Sequence, residues 1–233
     1  MRSRVAVLAS GGGTNLQAYL DHLEAAADRR ASDVVLVVSD RQAAGALERA
    51  RRRGIPTALL PSPSRPEAAP LDTLLQRYDV DLLVLAGFLK LVPSDVVRRL
   101  HGRILNVHPA LLPSFGGHGM YGARVHQAVL ESGARVSGVT VHFVDDVYDR
   151  GRIVAQWPVP VLPGDDATTL GARVLRVEHL LYPRVIEAVA TGRVTLESCA
   201  ERRHSPMHAE QAAFMLATHA DALAQSIDLL LEL

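Results

Sequence analysis

Two polar side chains, Asn106 and His108, are separated by one residue near the end of a short apolar run, residues 103–107. If the run is a β-strand, its two-residue period places both side chains on the same side. Histidine exchanges a proton near neutral pH, and an asparagine amide donates a hydrogen bond without titrating. Together they could stabilise an oxyanion, as in acyl transfer. The alternative is a pair that only caps a loop.

Three aspartates follow in a second segment, residues 141–151, and one of them could assist His108. A carboxylate close to His108 would raise the pKa of the imidazole by favouring its charged form. Asp145 and Asp146 are equally consistent with solvated turn residues. His142 alternates with Phe143 along the chain, which is more typical of a hydrogen-bonded core histidine than of a catalytic one.

A glycine-rich loop at residues 10–15 joins a predicted first strand to a predicted helix at residues 14–27. Glycines let a backbone approach a ligand closely, and a helix N-terminus offers free N–H groups to an anion. The dinucleotide pattern would require glycine where Leu16 stands, so the loop predicts binding of a single phosphate. The alternative is a tight strand-to-helix turn in which Thr14 is the helix N-cap.

Composition excludes several classes of protein. The 233 residues have a formal net charge of zero, which provides no general attraction for nucleic acid or an anionic membrane. The single lysine, Lys90, lies outside any glycine-rich loop, so the chain is not a P-loop nucleotidase. The single cysteine, Cys199, cannot form an intramolecular disulfide or a Cys-based zinc site, and the histidines show no metal-ligand spacing. The apolar run at residues 5–9 is too short for a signal peptide, and no run could span a membrane, so we expect a cytoplasmic protein with no bound metal.

The elements that must position these residues alternate between short apolar strands and helices. Continuous apolar strands separated by helices predict a parallel sheet covered on both faces. In such a sheet ligands bind beyond the carboxyl ends of the strands, which here are residues 10–15, 87–92 and 106–113. The predicted strands are residues 4–9, 33–38, 57–60, 81–86 and 103–107, and the predicted helices are residues 14–27, 43–53, 71–78 and 93–100.

The second half of the chain has a different pattern. Residues 136–144 and 152–161 alternate more and predict mixed or antiparallel strands at the sheet edge. A long helix at residues 168–190 is predicted to be interrupted by Pro183, and residues 193–197 to form a last short strand. The fold class is therefore α/β: a doubly wound, mostly parallel Rossmann-like sheet with mixed C-terminal strands and a short helical tail.

Several segments carry a resemblance to a known family over residues 4–195. They are S-G-G-G-T-N-L-Q, L-A-G-F-L-K-L-V, L-N-V-H-P-A-L-L-P-S-F, G-V-T-V-H-F-V-D-D-V-Y-D-R-G-R-I-V-A-Q and R-V-E-H-L-L-Y-P. Together they resemble the folate-dependent phosphoribosylglycinamide formyltransferases. The resemblance implies transfer of the formyl group of 10-formyltetrahydrofolate, a co-substrate, to the amine of glycinamide ribonucleotide in de novo purine biosynthesis.

The resemblance also implies roles for particular residues. Asn106 and protonated His108 would stabilise a tetrahedral intermediate with Asp149 assisting, and a cis peptide would precede Pro113. The ribonucleotide-binding positions are Gly13, Thr14, Asn15, Leu175, Arg176, Val177 and Glu178. The folate-binding positions are Arg65, Leu89, Lys90, Leu91, Val92, Asn106, Asp145, Asp146, Val147, Tyr148 and Asp149.

Departures from the family pattern mark what this chain does differently. Ala110 stands where many relatives have serine, Arg65 is only the nearest candidate for a folate-contacting arginine, and the longer loop at residues 116–122 could act as a lid. The organisation we expect is a formyltransferase domain at residues 1–198, with a phosphate-binding half to about residue 100 and a folate and catalytic half after it. Residues 199–233 would form a helical appendage, with residues 206–233 beyond the resemblance.

Other functions remain as alternatives. A formyltetrahydrofolate hydrolase would usually carry an N-terminal regulatory domain, and a methionyl-tRNA formyltransferase would need a larger basic C-terminal domain. A sugar-nucleotide formyltransferase is disfavoured by the phosphate loop. A non-catalytic binding protein of the same fold is disfavoured because Asn106, His108 and Asp149 are all present. The expected partners are therefore the two small-molecule substrates, in a monomer or a homodimer.

Overall fold

The computed structural model describes residues 1–201, with the side chains of residues 200 and 201 left out. These residues form seven β-strands, seven α-helices and one short 3₁₀ turn. The strands are β1 (Ser3–Leu8), β2 (Ser32–Ser39), β3 (Thr57–Leu59), β4 (Leu82–Leu85), β5 (Ile104–His108), β6 (Val136–Phe143) and β7 (Ile153–Pro160). The helices are α1 (Thr14–Ala26), α2 (Gly45–Arg52), α3 (Leu71–Arg77), α4 (Ser94–Arg99), α5 (Ala123–Glu131), α6 (Ala167–Ala190) and α7 (Leu196–Glu201).

The chain forms two compact units, and the boundary between them falls inside β5, after Asn106. The first unit contains Met1–Asn106 and Val144–Asp146; the second contains Val107–Phe143 and the described chain from Val147. Within residues 1–201 the strand order is β3-β2-β1-β4-β5-β6-β7. Pairs β1–β2, β1–β4, β2–β3 and β4–β5 are parallel, whereas β6 and β7 are antiparallel. The α/β class and the change to antiparallel strands are confirmed.

The core of the first unit shows why its strands read as continuous apolar runs. Ala6 and Leu8 of β1 pack with Leu36 and Val38 of β2 and with apolar side chains of α3 and α4 in one cluster. Val5 and Val7 point to the opposite face and are equally buried. Both faces of these strands are therefore covered, as the sequence predicts for a doubly wound sheet. Each such side chain stabilises the fold by about 1.5–3 kcal/mol relative to leaving it exposed.

Two local predictions are wrong. Helix α6 runs unbroken through Pro183, because the buried side chains around it, including Leu181 and Val185, hold the helix against the loss of one backbone hydrogen bond. The predicted strand at residues 193–197 does not form, since α7 begins at Leu196. Thr195 and Ser198 exchange side-chain-to-backbone hydrogen bonds of 3.1 and 3.0 Å, the reciprocal capping that starts a helix.

The predicted helical tail at residues 206–233 lies outside the described residues. None of the helices within residues 1–201 has both the length and the apolar character required to cross a membrane.

Candidate functional site

The glycine-rich loop follows β1 in the first unit and ends at the start of α1. Gly13 adopts φ 74°, in the left-handed region, and is the N-cap of α1. A Cβ atom at Gly13 would lie 2.6 Å from the Cα of Ala46 on α2, so glycine is required by both conformation and space. Thr14 is the first helical residue and makes no capping bond, so the alternative in which Thr14 is the N-cap is wrong.

We expect Gly13→Ala to lower the free energy of unfolding by about 2–5 kcal/mol, because strain at positive φ and overpacking each contribute about 1–3 kcal/mol. Urea denaturation of the purified variant measures this. Gly12→Ala is the matched control, since no atom lies within 4 Å of a Cβ at Gly12. Equal urea midpoints for the two variants would contradict the close packing of Gly13 on α2.

A polar network ties together the loops after β1, β2 and β4 in the first unit. The Ser10 hydroxyl donates to Asp40 Oδ1 at 2.7 Å and accepts from the N–H of Leu89 at 3.2 Å. Lys90 Nζ lies 3.3 Å from Asp40 Oδ2, so the lone lysine has a carboxylate partner within the chain. The sequence analysis did not identify Asp40. The only sequence feature that could have indicated a role for it is its position as a polar residue directly after a buried strand.

Asn106 and His108 lie in β5, with one residue between them. Asn106 is half-buried and pairs in register with Leu85, the last residue of β4, so it lies beside the strand that leads into residues 87–92. His108 is 3% exposed and belongs to the second unit. The predicted strand is confirmed, since Ile104–His108 form β5.

His108 is held between a carbonyl and a carboxylate of the second unit. Its Nε2 lies 2.9 Å from the carbonyl oxygen of Phe115, and its Nδ1 lies 3.6 Å from Asp149 Oδ2. A carbonyl oxygen can only accept, so Nε2 carries the proton that it donates to Phe115. In the neutral ring Nδ1 therefore bears the lone pair, and it gains an anionic partner in Asp149 once it is protonated.

Asp149 has further partners besides His108. The N–H of Gly117 donates to Asp149 Oδ2 at 2.8 Å, and His142 Nε2 lies 3.6 Å from Asp149 Oδ1. His142 is buried and its Nδ1 lies 2.9 Å from the carbonyl oxygen of Phe143. The sequence predicts His142 as a structural core residue; it is buried as expected, but it also faces the carboxylate of the candidate site.

Burial changes the pKa of both members of the His108–Asp149 pair. Burial lowers the pKa of His108, and although Asp149 and the Phe115 carbonyl raise it, the result is below the ordinary histidine value. Desolvation thus outweighs the Asp149 carboxylate in its effect on the pKa of His108. Burial raises the pKa of Asp149, but the bonds from His142 and Gly117 and the charge of His108 outweigh it, so that pKa lies below its ordinary value.

The backbone after His108 is fixed by Thr140 of β6 and Gln156 of β7. The Thr140 hydroxyl donates to the Ala110 carbonyl at 2.6 Å and accepts from the Leu112 N–H at 3.0 Å. Gln156 Nε2 donates to the Leu112 carbonyl at 2.8 Å. The peptide bond between Leu112 and Pro113 is cis, as the resemblance implies.

The remaining predicted positions are distributed over both units. In the first unit, Val92 packs its side chain into the apolar core, which leaves only its backbone for a ligand, while Leu91 is exposed. Arg65 Nη2 donates weakly to the Leu60 carbonyl at 3.4 Å. Asp145 and Asp146 belong to the first unit, and Val147 and Tyr148 to the second. In α6, Leu175 is half-buried, Arg176 exposed, and Val177 and Glu178 buried.

The loop at residues 116–122 is attached at its beginning and packs on an aromatic side chain. Besides the bond from Gly117 to Asp149, the His118 ring meets Tyr148 edge-on, with centroids 5.5 Å apart. A Cβ at Gly116 would lie 2.4 Å from Leu112 Cδ2, so the loop passes close to the segment after β5. Within residues 1–201, no cluster of three or more His, Cys, Asp or Glu side chains could hold a metal ion.

The chain is similar to known proteins over most of its length. A family model described as formyl transferase matches residues 3–186. The chloroplastic phosphoribosylglycinamide formyltransferase of Vigna unguiculata is 45% identical over 197 residues, which cover 83% of this chain and 62% of that protein. The chain thus matches somewhat less than two thirds of the length of that curated relative.

Solved structures give matches of nearly full length. Glycinamide ribonucleotide transformylase 1 from Symbiobacterium toebii is 43% identical, with a TM-score of 0.73 over 82% of this chain and 89% of that chain. A formyltetrahydrofolate deformylase from Pseudomonas syringae is 26% identical, with a TM-score of 0.72 over 83% of this chain and 63% of that chain. Because the family model spans most of this sequence and the transformylase is matched along most of its length, the chain belongs to the formyl transferase family, among the phosphoribosylglycinamide formyltransferases.

Proposed function

We propose that the chain transfers the formyl group of 10-formyltetrahydrofolate to the amine of glycinamide ribonucleotide, a step of de novo purine biosynthesis. The observation that carries the proposal is the environment of His108. Its ring lies at the carboxyl end of a parallel strand, one residue away from Asn106, and is held between the Phe115 carbonyl and Asp149. Membership of the family supports the same reaction.

The binding roles follow from the chemistry of each segment. The backbone of Gly13, Thr14 and Asn15 would hold the phosphate, because a glycine turn at a helix N-terminus presents N–H groups to an anion. Residues 175–178 of α6 would contact the rest of the ribonucleotide, where the Glu178 carboxylate can accept from hydroxyl groups.

Folate would bind through Arg65, residues 89–92, Asn106 and residues 145–149. The loop at residues 87–92 suits a flat heterocycle because Phe88, Leu89 and Leu91 are apolar and the Leu89 N–H is already fixed by Ser10. The half-buried Asn106 amide can donate to a carbonyl oxygen. These residues therefore fit a formyl-bearing pterin, and 10-formyltetrahydrofolate would supply the formyl group.

His108 would move one proton during the reaction. When the substrate amine bonds to the formyl carbon, the carbonyl electron pair moves to oxygen, where the Asn106 amide donates a hydrogen bond. Neutral His108 takes a proton at Nδ1 from the newly formed ammonium, and the Asp149 carboxylate stabilises the imidazolium. His108 then gives this proton to the departing folate nitrogen as the old carbon–nitrogen bond breaks and the carbonyl re-forms.

Hydrolysis of formyltetrahydrofolate is the second candidate, favoured by the likeness to the deformylase from Pseudomonas syringae. The two functions differ in the acceptor, which is the ribonucleotide amine in one case and water in the other. The glycine-rich loop, which precedes α1 and packs against α2, favours the transferase. A hydrolase needs no site for a phosphate-bearing acceptor.

A formyl-transfer assay with both substrates tests the proposal. We expect tetrahydrofolate to be released with stoichiometric formylation of glycinamide ribonucleotide, and little release when water is the only acceptor. Release at the same rate without the ribonucleotide would establish the hydrolase instead. The His108→Ala variant serves as the blank for contaminating activity.

We also propose a cytoplasmic protein, supported by one buried free cysteine, Cys199, among the described residues. Residues 1–198 would be the formyltransferase domain, which contains the family match at residues 3–186. The oligomeric state would be monomer or homodimer. Cell fractionation tests the location, and recovery of the protein in an organelle would contradict the cytoplasmic proposal. Sedimentation of the purified protein tests the oligomeric state, and an assembly larger than a dimer would contradict that proposal.

A further inference from the structure

We propose that Arg49 of α2 is a positioning residue for the phosphate of the ribonucleotide, because it turns the Gly12–Gly13 peptide so that its N–H faces away from α2. The inference rests on the proposed function, which places that phosphate at the glycine-rich loop. Arg49 has no assigned role in the sequence motifs, and all of its contacts lie within the first unit.

The guanidinium of Arg49 makes two defined hydrogen bonds. Its Nε donates to the carbonyl oxygen of Gly12 at 2.8 Å, and its Nη1 donates to Gln17 Oε1 at 3.1 Å. Gln17 lies on α1, where its Nε2 donates to Asp21 Oδ1 at 2.8 Å. The planar fork of the guanidinium thus joins the glycine-rich loop to the helix that follows it.

A second carbonyl of the loop is turned in the same direction. The N–H of Ala46, in the first turn of α2, donates to the Gly11 carbonyl at 3.2 Å. In a trans peptide the C=O and the N–H point in opposite directions. With the carbonyls of Gly11 and Gly12 fixed on α2, the N–H groups of Gly12 and Gly13 must point away from that helix.

These N–H groups are available to an anion. Within residues 1–201, the N–H groups of Gly11, Gly12 and Gly13 form no hydrogen bond; Gly11 and Gly12 are exposed, whereas Gly13 is buried where it packs on α2. Successive N–H groups that end in a left-handed residue, here Gly13, form a concave nest that binds anions. Arg49 therefore acts through the backbone. Its hydrogen bond to the Gly12 carbonyl fixes the Gly12–Gly13 peptide and so determines where the Gly13 N–H points.

Lysine would replace Arg49 only in part. An ammonium is a compact charge, whereas the guanidinium presents donors in a fixed plane that reaches the Gly12 carbonyl and the Gln17 amide oxygen together. We therefore expect that a positive charge alone at residue 49 does not fully orient the loop. Comparing arginine with lysine at this position separates positioning of the loop from simple electrostatic attraction of the phosphate.

The test compares Arg49→Met, Arg49→Lys and a control, Arg52→Met. Arg52 lies on the same helix, its side chain is 75% exposed, and among residues 1–201 it pairs only with Glu48 one turn away. Its loss therefore removes one charge without touching the loop. We expect Arg49→Met to raise KM for glycinamide ribonucleotide by about 10-fold or more, equivalent to loss of a charge-assisted hydrogen bond. Arg49→Lys should fall between wild type and Arg49→Met, with KM for folate and kcat nearly unchanged.

Two kinetic outcomes would overturn the inference. One is a wild-type KM for the ribonucleotide in Arg49→Met. The other is an equal rise in Arg52→Met, which would mean that only the helix charge matters. A parallel rise in KM for both substrates would show general loosening of the fold and would also reject a specific role.

A titration with inorganic phosphate, followed by amide NMR, separates this inference from the proposed function. We expect the Gly12 and Gly13 amides of wild type to shift on addition of phosphate, and the shifts to weaken in Arg49→Met but not in Arg52→Met. Shifts that are absent in wild type, or equal in all variants, would overturn the role of Arg49. If wild type binds phosphate in this way but does not formylate the ribonucleotide, the proposed function fails while Arg49 keeps its role. If Arg49→Met does not fold, Arg49→Lys gives the same comparison.

Discussion

His108→Ala should lower kcat for formyl transfer by at least about 100-fold, the usual effect of losing an acid–base group. In the proposed mechanism the imidazole carries the proton between the two nitrogens, and its removal leaves Asp149 without the ring that it faces at 3.6 Å. Steady-state rates with both substrates saturating measure the effect. Unchanged turnover would reject the proposed mechanism.

Controls separate loss of the proton carrier from loss of the fold. His101 is an exposed histidine of the first unit, and His101→Ala should keep the wild-type rate. His108 is buried, so His108→Ala also creates a cavity, and far-UV circular dichroism with a urea titration must show a folded enzyme. Free imidazole should restore part of the activity if the missing ring is the cause.

Asp149→Asn should lower the pKa of His108 still further and reduce kcat by about 100-fold or more. The Asp149 carboxylate is the largest influence that raises the pKa of His108, and asparagine removes that charge while leaving an oxygen to accept from the Gly117 N–H. Asparagine also tolerates the positive φ of 55° at this position. The substitution therefore changes charge far more than shape.

The sign of the pH effect follows from the form of His108 that reacts. In the proposed mechanism neutral His108 accepts the proton, so kcat/KM should fall when the pH drops below the pKa of His108 in the free enzyme. Because that pKa lies below the ordinary histidine value, wild type should stay active into mildly acidic solution. In Asp149→Asn this acidic limb should move to lower pH, while the maximal rate falls because the imidazolium formed during the reaction is less stable.

An NMR titration of the His108 ring in both proteins measures the coupling directly. A His108 pKa in Asp149→Asn that is equal to or above the wild-type value would contradict it. The fully exposed Asp28 provides the control, since Asp28→Asn removes one carboxylate far from any proposed role and should leave the titration unchanged.

Local sequence patterns predicted the strands well, and their errors have local causes. Apolar runs with β-branched residues identified β1 to β7, since burial on one or both faces is written into the spacing of apolar residues. Pro183 predicted an interruption because proline destabilises the interior of an isolated helix. In the structure α6 continues through Pro183, since the buried side chains around it stabilise the helix. At residues 193–197 a strand was predicted where a helix begins. The sequence signal for the helix was the Thr195–Ser198 pair, whose spacing of three residues is that of a helix N-terminal cap.

The sequence alone predicts the kind of site. The glycine-rich loop, the Asn106–His108 spacing and the downstream aspartates indicate anion binding and proton transfer, because residue type and the two-residue strand period are local properties. Three features became visible only in the tertiary structure: the burial that lowers the pKa of His108, the ion pair of Lys90 with Asp40, and the hydrogen bond from Arg49 to the Gly12 carbonyl. These depend on desolvation and on contacts between residues separated by tens of positions in sequence, such as residues 12 and 49 or 108 and 149. The spacing of residues along the chain does not show which distant residues come into contact. The fold is therefore needed to identify which charged groups form pairs and which are exposed to solvent.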